Sequence, residues 1–408
     1  MTPQIRKEKA IDQSQLHDRP NKPRGWAASA LRGSGYGQGV SRMRNATGPS
    51  SHAAHTITIN GISKTYGPVT ALHPTDLSVE KGEFLTLLGP SGSGKTTLLN
   101  LIAGATGPTT GNILLDGNDI TQTPPRERGI GMVFQNYALM PHMTVFENVA
   151  YPLRARRHPA RMIREKVTES LERVGLSGFE GRKPRQLSGG QQQRVGIARC
   201  IVYSPAIIMM DEPLGALDKN LREQMQGEIK RLHRELGTTI IYVTHDQEEA
   251  LNMSDRICLM AVGKVAQLGT PDELYFQPRN RFVAEFIGES NLISGRMSRD
   301  GTMLIAENRS IAVPGNKRIE GAELLVMVRP ENVRICGVDQ PVEGGSNFLN
   351  GKVASSSFIG GTTRISVETE NGLNITAKVM SVRAESRRET GAKVRVAWSA
   401  ADTVVLDK

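Results

Sequence analysis

The chain has 408 residues, long enough for two domains with separate cores, and its 38% hydrophobic content is ordinary for a globular protein in water. No apolar run approaches the roughly 20 residues that a transmembrane helix needs, which excludes a self-contained helical channel or carrier. The formal charge of +10 would suit a nucleic acid or an anionic lipid surface, but residues 1–55 hold nine Lys/Arg against three acidic residues, a surplus of +6, and the body carries only the remaining +4, which weakens that inference.

Residues 1–55 are rich in Gly, Ser, Pro and Asn and poor in apolar side chains, so burial there cannot offset chain entropy. A disordered basic tail is expected, with contact to anionic lipid as the alternative. Met1–Arg24 lacks the apolar stretch of a secretory signal, and Glu8, Asp12 and Asp18 interrupt the basic face of a transit peptide. From Thr56 to about residue 290, short β-branched runs alternate with longer amphipathic stretches, the order of βαβ units around a mostly parallel sheet.

The first strong motif follows the apolar strand Phe84–Leu88. Gly89-Pro90-Ser91-Gly92-Ser93-Gly94-Lys95-Thr96 leads into the helical stretch Thr97–Ala103, which is the P-loop pattern in its required context of strand, loop and helix. Glycines let backbone N–H groups converge on phosphate oxygens, and the helix start adds partial positive charge. Lys95 is expected to neutralise the β- and γ-phosphates, and the Thr96 hydroxyl to ligate Mg²⁺. After the strand-like Ile130–Phe134 comes Gln135, whose carbonyl is placed to orient metal and water; alone it means little.

Leu187-Ser188-Gly189-Gly190-Gln191-Gln192-Gln193-Arg194 precedes helical apolar spacing over Val195–Tyr203, so Ser188, Gly189 and Gly190 open a helix with free N–H groups. A second anion site and a plain helix cap both fit. The apolar run Ile207–Met210 ends in Asp211-Glu212-Pro213. Acids at the carboxyl end of a parallel strand lie where ligands bind in open α/β sheets, although an acidic turn is the plainer reading of the pair alone. With a P-loop upstream, Asp211 is read as holding Mg²⁺ through its water shell and Glu212 as polarising the attacking water. Thr239–Val243 ends in Thr244-His245-Asp246, placing His245 at the same edge as a candidate γ-phosphate contact. Cys200, Cys258 and Cys336 are odd in number and lack metal-ligand spacing, as expected of incidental thiols in a reducing compartment.

Beyond Asn291 the pattern turns to strands, among them Glu323–Val328, Gly351–Ala354, Thr363–Val367 and Lys393–Trp398, with turns at Gly344-Gly345 and Gly360-Gly361. A small all-β C-terminal domain is expected over 291–408.

In order and approximate spacing, the P-loop, Gln135, the Leu187–Gln191 string, Asp211-Glu212, Leu217-Asp218 and His245 resemble the ATPases of ABC transporters, a likeness that covers nearly all of residues 56–408. The resemblance implies a P-loop α/β ATPase domain with a helical subdomain over 56–290. It implies adenine stacking on Tyr66, nucleotide contacts from Gly89 through Thr97 and from Asp218, and metal ligation by Thr96, Gln135 and Asp211. It further implies a homodimer in which Ser188–Gln191 of one copy close over ATP held by the other. Two integral membrane permeases would dock beside Gln135, near Met140-Pro141-His142-Met143, at the cytoplasmic face of the cell membrane.

Among such ATPases, Phe286–Asn291, Val328-Arg329-Pro330-Glu331 and the β-rich tail resemble those of polyamine uptake systems, whose C-terminal module is OB-like and whose transporters use an extracytoplasmic solute-binding protein. Similar ATPases serve ferric iron, sugars and other solutes, and substrate choice belongs to other subunits. Gly215 stands where a Ser is frequent and Cys200 where Ala is common; neither touches the expected phosphate ligands. A soluble ABC ATPase acting in DNA repair or translation is the rival reading, disfavoured because the chain has one cassette and no coiled-coil insertion. A further rival makes the C-terminal domain a ligand sensor with the ATPase as its switch.

Overall fold

The computed structural model describes residues 55–298, 303–306, 309–314, 321–342, 344–381 and 388–407; the expected basic tail therefore lies outside the described residues, His55 excepted. Strands β1 (Ile57–Tyr66) and β2 (Val69–Val79) form an antiparallel hairpin. The buried β3 (Phe84–Leu88) feeds the glycine-rich loop and α1 (Lys95–Ala103). β4 (Thr110–Leu115) and β5 (Asn118–Asp119) complete a four-stranded antiparallel sheet with the first hairpin, in the order β2-β1-β4-β5. This sheet is additional to the parallel one anticipated, because a β-branched run does not reveal from its own residues which strand it will pair with.

β6 (Ile130–Val133) is followed by the helical region α2 (Val145–Ala155), α3 (Ala160–Arg173) and α4 (Gly189–Ile201). Then come β7 (Ile207–Asp211), α5 (Lys219–Leu236), β8 (Thr239–Thr244), α6 (Gln247–Met253), β9 (Arg256–Ala261) and β10 (Lys264–Gly269). They build a six-stranded sheet of order β10-β9-β3-β8-β7-β6. β10 runs antiparallel along β9 and the other neighbours are parallel.

The continuous apolar runs of the central strands have a two-sided cause. In β7, Ile207 and Met209 join the core shared with α1 and the antiparallel sheet, whereas Ile208 and Met210 join the core shared with α2–α5. β8 divides likewise, Ile241 and Val243 to one side, Ile240 and Tyr242 to the other. With period-two alternation both faces need covering, so the strand interiors are almost entirely apolar, and each such side chain contributes roughly 1.5–3 kcal/mol on burial. α3 supplies its core face from Ile163, Val167 and Leu171, spaced for one side of a helix. Among the described residues no helix is long and apolar enough to cross a membrane.

After α7 (Pro271–Phe276) and α8 (Arg281–Phe286) the chain becomes β-rich. β11 (Asn291–Met297), β12 (Met303–Ala306), β13 (Arg309–Ala312) and β14 (Glu323–Val328) are followed by β15 (Arg334–Cys336) and β16 (Ser346–Ile359). β17 (Thr362–Thr369), β18 (Asn374–Met380), β19 (Lys393–Ser399) and β20 (Val404–Leu406) complete it. Two five-stranded antiparallel sheets result, β13-β12-β11-β14-β20 and β15-β19-β16-β17-β18, with Trp398, Ile293, Val326, Val367 and Val396 in their common core. The Gly360-Gly361 turn joins Ile359 to Thr362 across a tight hairpin, with Gly360 at φ 69°. This all-β part is fastened to what precedes it by Arg329, which donates to the carbonyls of Tyr275, Ala284 and Glu289 and to Ser290 Oγ.

Candidate functional site

Parallel pairing brings the ends of β3, β8, β7 and β6 to one edge, with Leu88 opposite Thr244, Asp211 opposite Val243 and Val133 opposite Met210. The residue after each strand end then enters one crevice, as open α/β sheets require. β3 delivers Gly89, where only glycine fits: its φ is 151° and a Cβ there would fall 2.2 Å from the Met260 carbonyl oxygen. Gly94, at φ 100°, starts α1 without a side-chain cap. The first-turn N–H groups of Lys95, Thr96 and Thr97 thus face the loop with no intrahelical acceptor. Pro90, Ser91 and Gly92 form the exposed crown of this loop, Ser93 lies buried beneath, and Thr96 is exposed.

Lys95 is 5% exposed, and its Nζ donates to the carbonyls of Gly89 at 2.8 Å and Pro90 at 3.0 Å. Burial lowers its pKa, and the charges of Glu212 and Asp211 oppose that shift. Asp211, the last residue of β7, is pushed the other way: burial and the neighbouring Glu212 charge raise its pKa against the pull of Lys95. A cation and two carboxylates from different strands are therefore within electrostatic reach of one another.

Glu212 follows with φ 44°, a left-handed backbone that a non-glycine residue adopts at a cost of about 1–3 kcal/mol. The turn is held by Glu212 N donating to Val243 O at 3.0 Å and Gly215 N donating to Glu212 O at 3.2 Å. It aims the carboxylate at His245, whose Nδ1 lies 3.2 Å from Glu212 Oε2. Gln135 is exposed beyond β6, its Nε2 3.7 Å from where a Cβ on Gly215 would sit.

The remaining expected residues find their described polar partners within their own segments. Ser188 caps α4 reciprocally: Gln191 N donates to Ser188 Oγ at 3.3 Å, and Ser188 N to Gln191 Oε1 at 3.0 Å. Gly189 is exposed, and Gly190 packs against Leu221. Among the described residues, no hydrogen bond or ion pair joins Ser188–Gln191 to the P-loop of the same chain. Asp218 caps α5, accepting from Leu221 N at 3.0 Å. The Tyr66 ring is 51% exposed with Lys64 Nζ 5.0 Å from its centroid, on the hairpin whose second strand brings Ala71 and Leu72 against Gly94.

Three arginines were not anticipated. Arg199 of α4 donates to the carbonyls of Tyr137 and Ala138, two left-handed residues just past Gln135. Buried Arg128 donates to Leu101 O and Ile102 O at the end of α1. Arg222 of α5 binds Asp246, next to His245. The partners named here are distant in sequence, so spacing alone carried no signal for them.

The fold and this crevice define a P-loop nucleoside triphosphatase of the α/β class. The family described as ABC transporter matches residues 72–215, and the family described as TOBE domain matches residues 326–406. The spermidine/putrescine import ATP-binding protein PotA of Thermobifida fusca is 44% identical over 366 residues, 88% of this chain and 95% of that protein. The protein of the same name from Salmonella typhimurium is 48% identical over 323 residues, 78% of this chain and 84% of its own. Among solved structures, cbiO1 from Clostridium perfringens, described as part of the ABC transporter complex cbiONQ, superposes with a TM-score of 0.51 at 29% identity, over 54% of this chain and 90% of that one. The chain belongs to the ABC transporter family, as one of its ATP-binding and ATP-hydrolysing proteins.

Proposed function

We propose that this chain energises a polyamine importer, hydrolysing ATP between two copies of itself on the cytoplasmic face of the membrane. The carrying observation is the electrostatic coupling of buried Lys95 to Asp211 and Glu212, a cation and two carboxylates around an uncapped helix start. In this reading residues 56–290 are the nucleotide-binding domain, 291–408 an OB-like regulatory domain and 1–55 a tail dispensable for hydrolysis.

Triphosphate sits on the N–H groups from Gly89 through Thr97, Lys95 neutralises the β- and γ-phosphates, and Tyr66 stacks on adenine. Thr96, Asp211 and Gln135 offer hard oxygen donors, and burial together with the neighbouring Glu212 charge raises the pKa of Asp211, a cost that a bound cation would offset, so the residues fit Mg²⁺. When bound, Mg²⁺ supplies charge stabilisation to the phosphate oxygens. Glu212 orients the attacking water and accepts its proton, while His245 holds the γ-phosphate; water oxygen bonds to the γ-phosphorus as the bond to the β–γ bridging oxygen breaks, leaving ADP and phosphate.

The second half of the site comes from the partner copy. The Ser188 hydroxyl accepts from Gln191 N and keeps its proton for donation, and Gly189 is exposed beside it, so both suit a phosphate presented from outside. Asp218 contributes from the same side. Closure and reopening of the pair drives two integral permeases, which receive solute from an extracytoplasmic binding protein. The T. fusca and S. typhimurium relatives are named for spermidine and putrescine, which supports polyamines over iron or sugars as the cargo. The test is uptake of labelled putrescine and spermidine by cells lacking this chain. Restoration by the wild type and not by Lys95→Ala is expected; unchanged polyamine uptake alongside lost uptake of another solute would refute the assignment.

A further inference from the structure

The guanidinium of Arg222, in the first turn of α5, lies between the two loops that carry Glu212 and His245. Its Nη2 donates to Leu217 O at 3.1 Å, in the segment that follows Glu212. Its Nη1 donates to Asp246 Oδ2 at 3.0 Å, the residue after His245, and its Nε faces Glu249 Oε1 at 3.7 Å. Asp246 is itself fixed: Oδ1 accepts from Glu248 N at 2.8 Å and Glu249 N at 3.2 Å, and the Asp246 N–H donates to Thr244 Oγ1 at 3.0 Å. Thr244 Oγ1 donates to Glu249 Oε2 at 2.8 Å, which also accepts from the Tyr242 hydroxyl at 2.9 Å. Glu249 is buried, and burial raises its pKa against the lowering effect of the hydrogen bonds from Thr244 and Tyr242. His245 is thus flanked on both sides by residues tied into one network that includes the Arg222 cation.

We propose that Arg222 is a positioning residue for hydrolysis: its planar fork cross-braces the Leu217 carbonyl and the Asp246 carboxylate, and so sets the separation of Glu212 and His245. This rests on the reading of those two residues as the hydrolytic pair. A fork is required because the two acceptors lie on different loops, and one ammonium does not reproduce two donors fixed in a plane. The arrangement also has a directional consequence. Leu217 directly precedes Asp218, so a push on that turn from the partner copy is passed through Arg222 to the backbone beside His245.

The test uses the full chain and measures steady-state hydrolysis, KM for ATP and melting temperature for Arg222→Met, Arg222→Lys and Asp246→Asn. Asn keeps the α6 cap while removing the charged acceptor, so it probes the brace without depending on the arginine variants folding. Each variant is expected to lose about tenfold or more in kcat with KM within about twofold, and in a His245→Ala background Arg222→Met is expected to cost less than about twofold, because both act through one group. Retained kcat in Asp246→Asn or Arg222→Met, a loss confined to KM, or losses that multiply with His245→Ala would each overturn the proposal. A wild-type chain that hydrolyses no ATP would overturn the site reading and the Arg222 role with it; a hydrolysing wild type matched by Arg222→Met overturns the role alone.

Discussion

Glu212 Oε2 and His245 Nδ1 stand 3.2 Å apart although they leave different strands, and the contact exists because the chain turns left-handed at Glu212, at φ 44°, as it exits β7. A residue held in that conformation carries strain that the surrounding turn must offset, and such strain recurs at functional sites. The imidazole is the more exposed partner, 59% against 25% for the carboxylate, so it is the one open to solvent. Replacing His245 with Ala should lower kcat by about 100-fold while leaving ATP affinity within about threefold, measured by phosphate release and by equilibrium nucleotide binding.

The electrostatics of Asp211 predict a stability that depends on pH. Above its ordinary value of 3.8 the unfolded chain has released this proton, whereas burial and Glu212 make the folded chain retain it to higher pH. Folding takes up a proton in that window, so this group's contribution to stability declines as pH climbs through it and stays unfavourable above it. Asp211→Asn should therefore melt higher than the wild type at pH 7 and show no such advantage below pH 3.8. The same variant should lose Mg²⁺-dependent hydrolysis, the exchange of stability for activity expected at a catalytic carboxylate.

Two glycines near the site should respond in opposite ways. A Cβ on Gly215 meets nothing closer than Glu212 O at 3.5 Å, so Gly215→Ser should fold with a stability change within about 0.5 kcal/mol and hydrolyse ATP within about threefold of the wild type. A Cβ on Gly89 would lie 2.2 Å from Met260 O, so Gly89→Ala should lose nucleotide binding, read by titration with a fluorescent ATP analogue.

Arg329 predicts how the two parts of the chain unfold. It is 2% exposed, its bonds to Tyr275 O, Ala284 O, Glu289 O and Ser290 Oγ span the junction, and its guanidinium stacks 4.2 Å from the Tyr275 ring centroid. Arg329→Met strands the buried Ala284 carbonyl and the part-buried carbonyls of Tyr275 and Glu289, and should cost about 3 kcal/mol or more. Scanning calorimetry should then resolve two transitions where the wild type shows one.

Much of the site was legible because its signals are local. The P-loop announces itself in eight consecutive residues from Gly89 to Thr96, and Asp211 and His245 each end a run of buried apolar residues whose parallel registry brings them to one edge. The strand order and the antiparallel β2-β1-β4-β5 sheet were not legible, since pairing is decided by partners elsewhere in the chain. Nor were Arg222, Arg199 and Arg128: an arginine on a helix or in a loop reads as solvated until the fold supplies its carbonyls. Val328-Arg329-Pro330-Glu331 stood out only by resemblance, and the structure gives it a physical reason, a buried cation holding the junction closed.

The central claim is that Glu212 turns over ATP held by Lys95, and phosphate release from Mg²⁺-ATP by the full chain, wild type against Glu212→Gln, tests it most directly. The amide keeps the shape of the carboxylate and cannot accept the water's proton, so the variant should bind ATP as tightly as the wild type yet release phosphate at least about 100-fold more slowly. Equal rates in the two proteins would contradict the account.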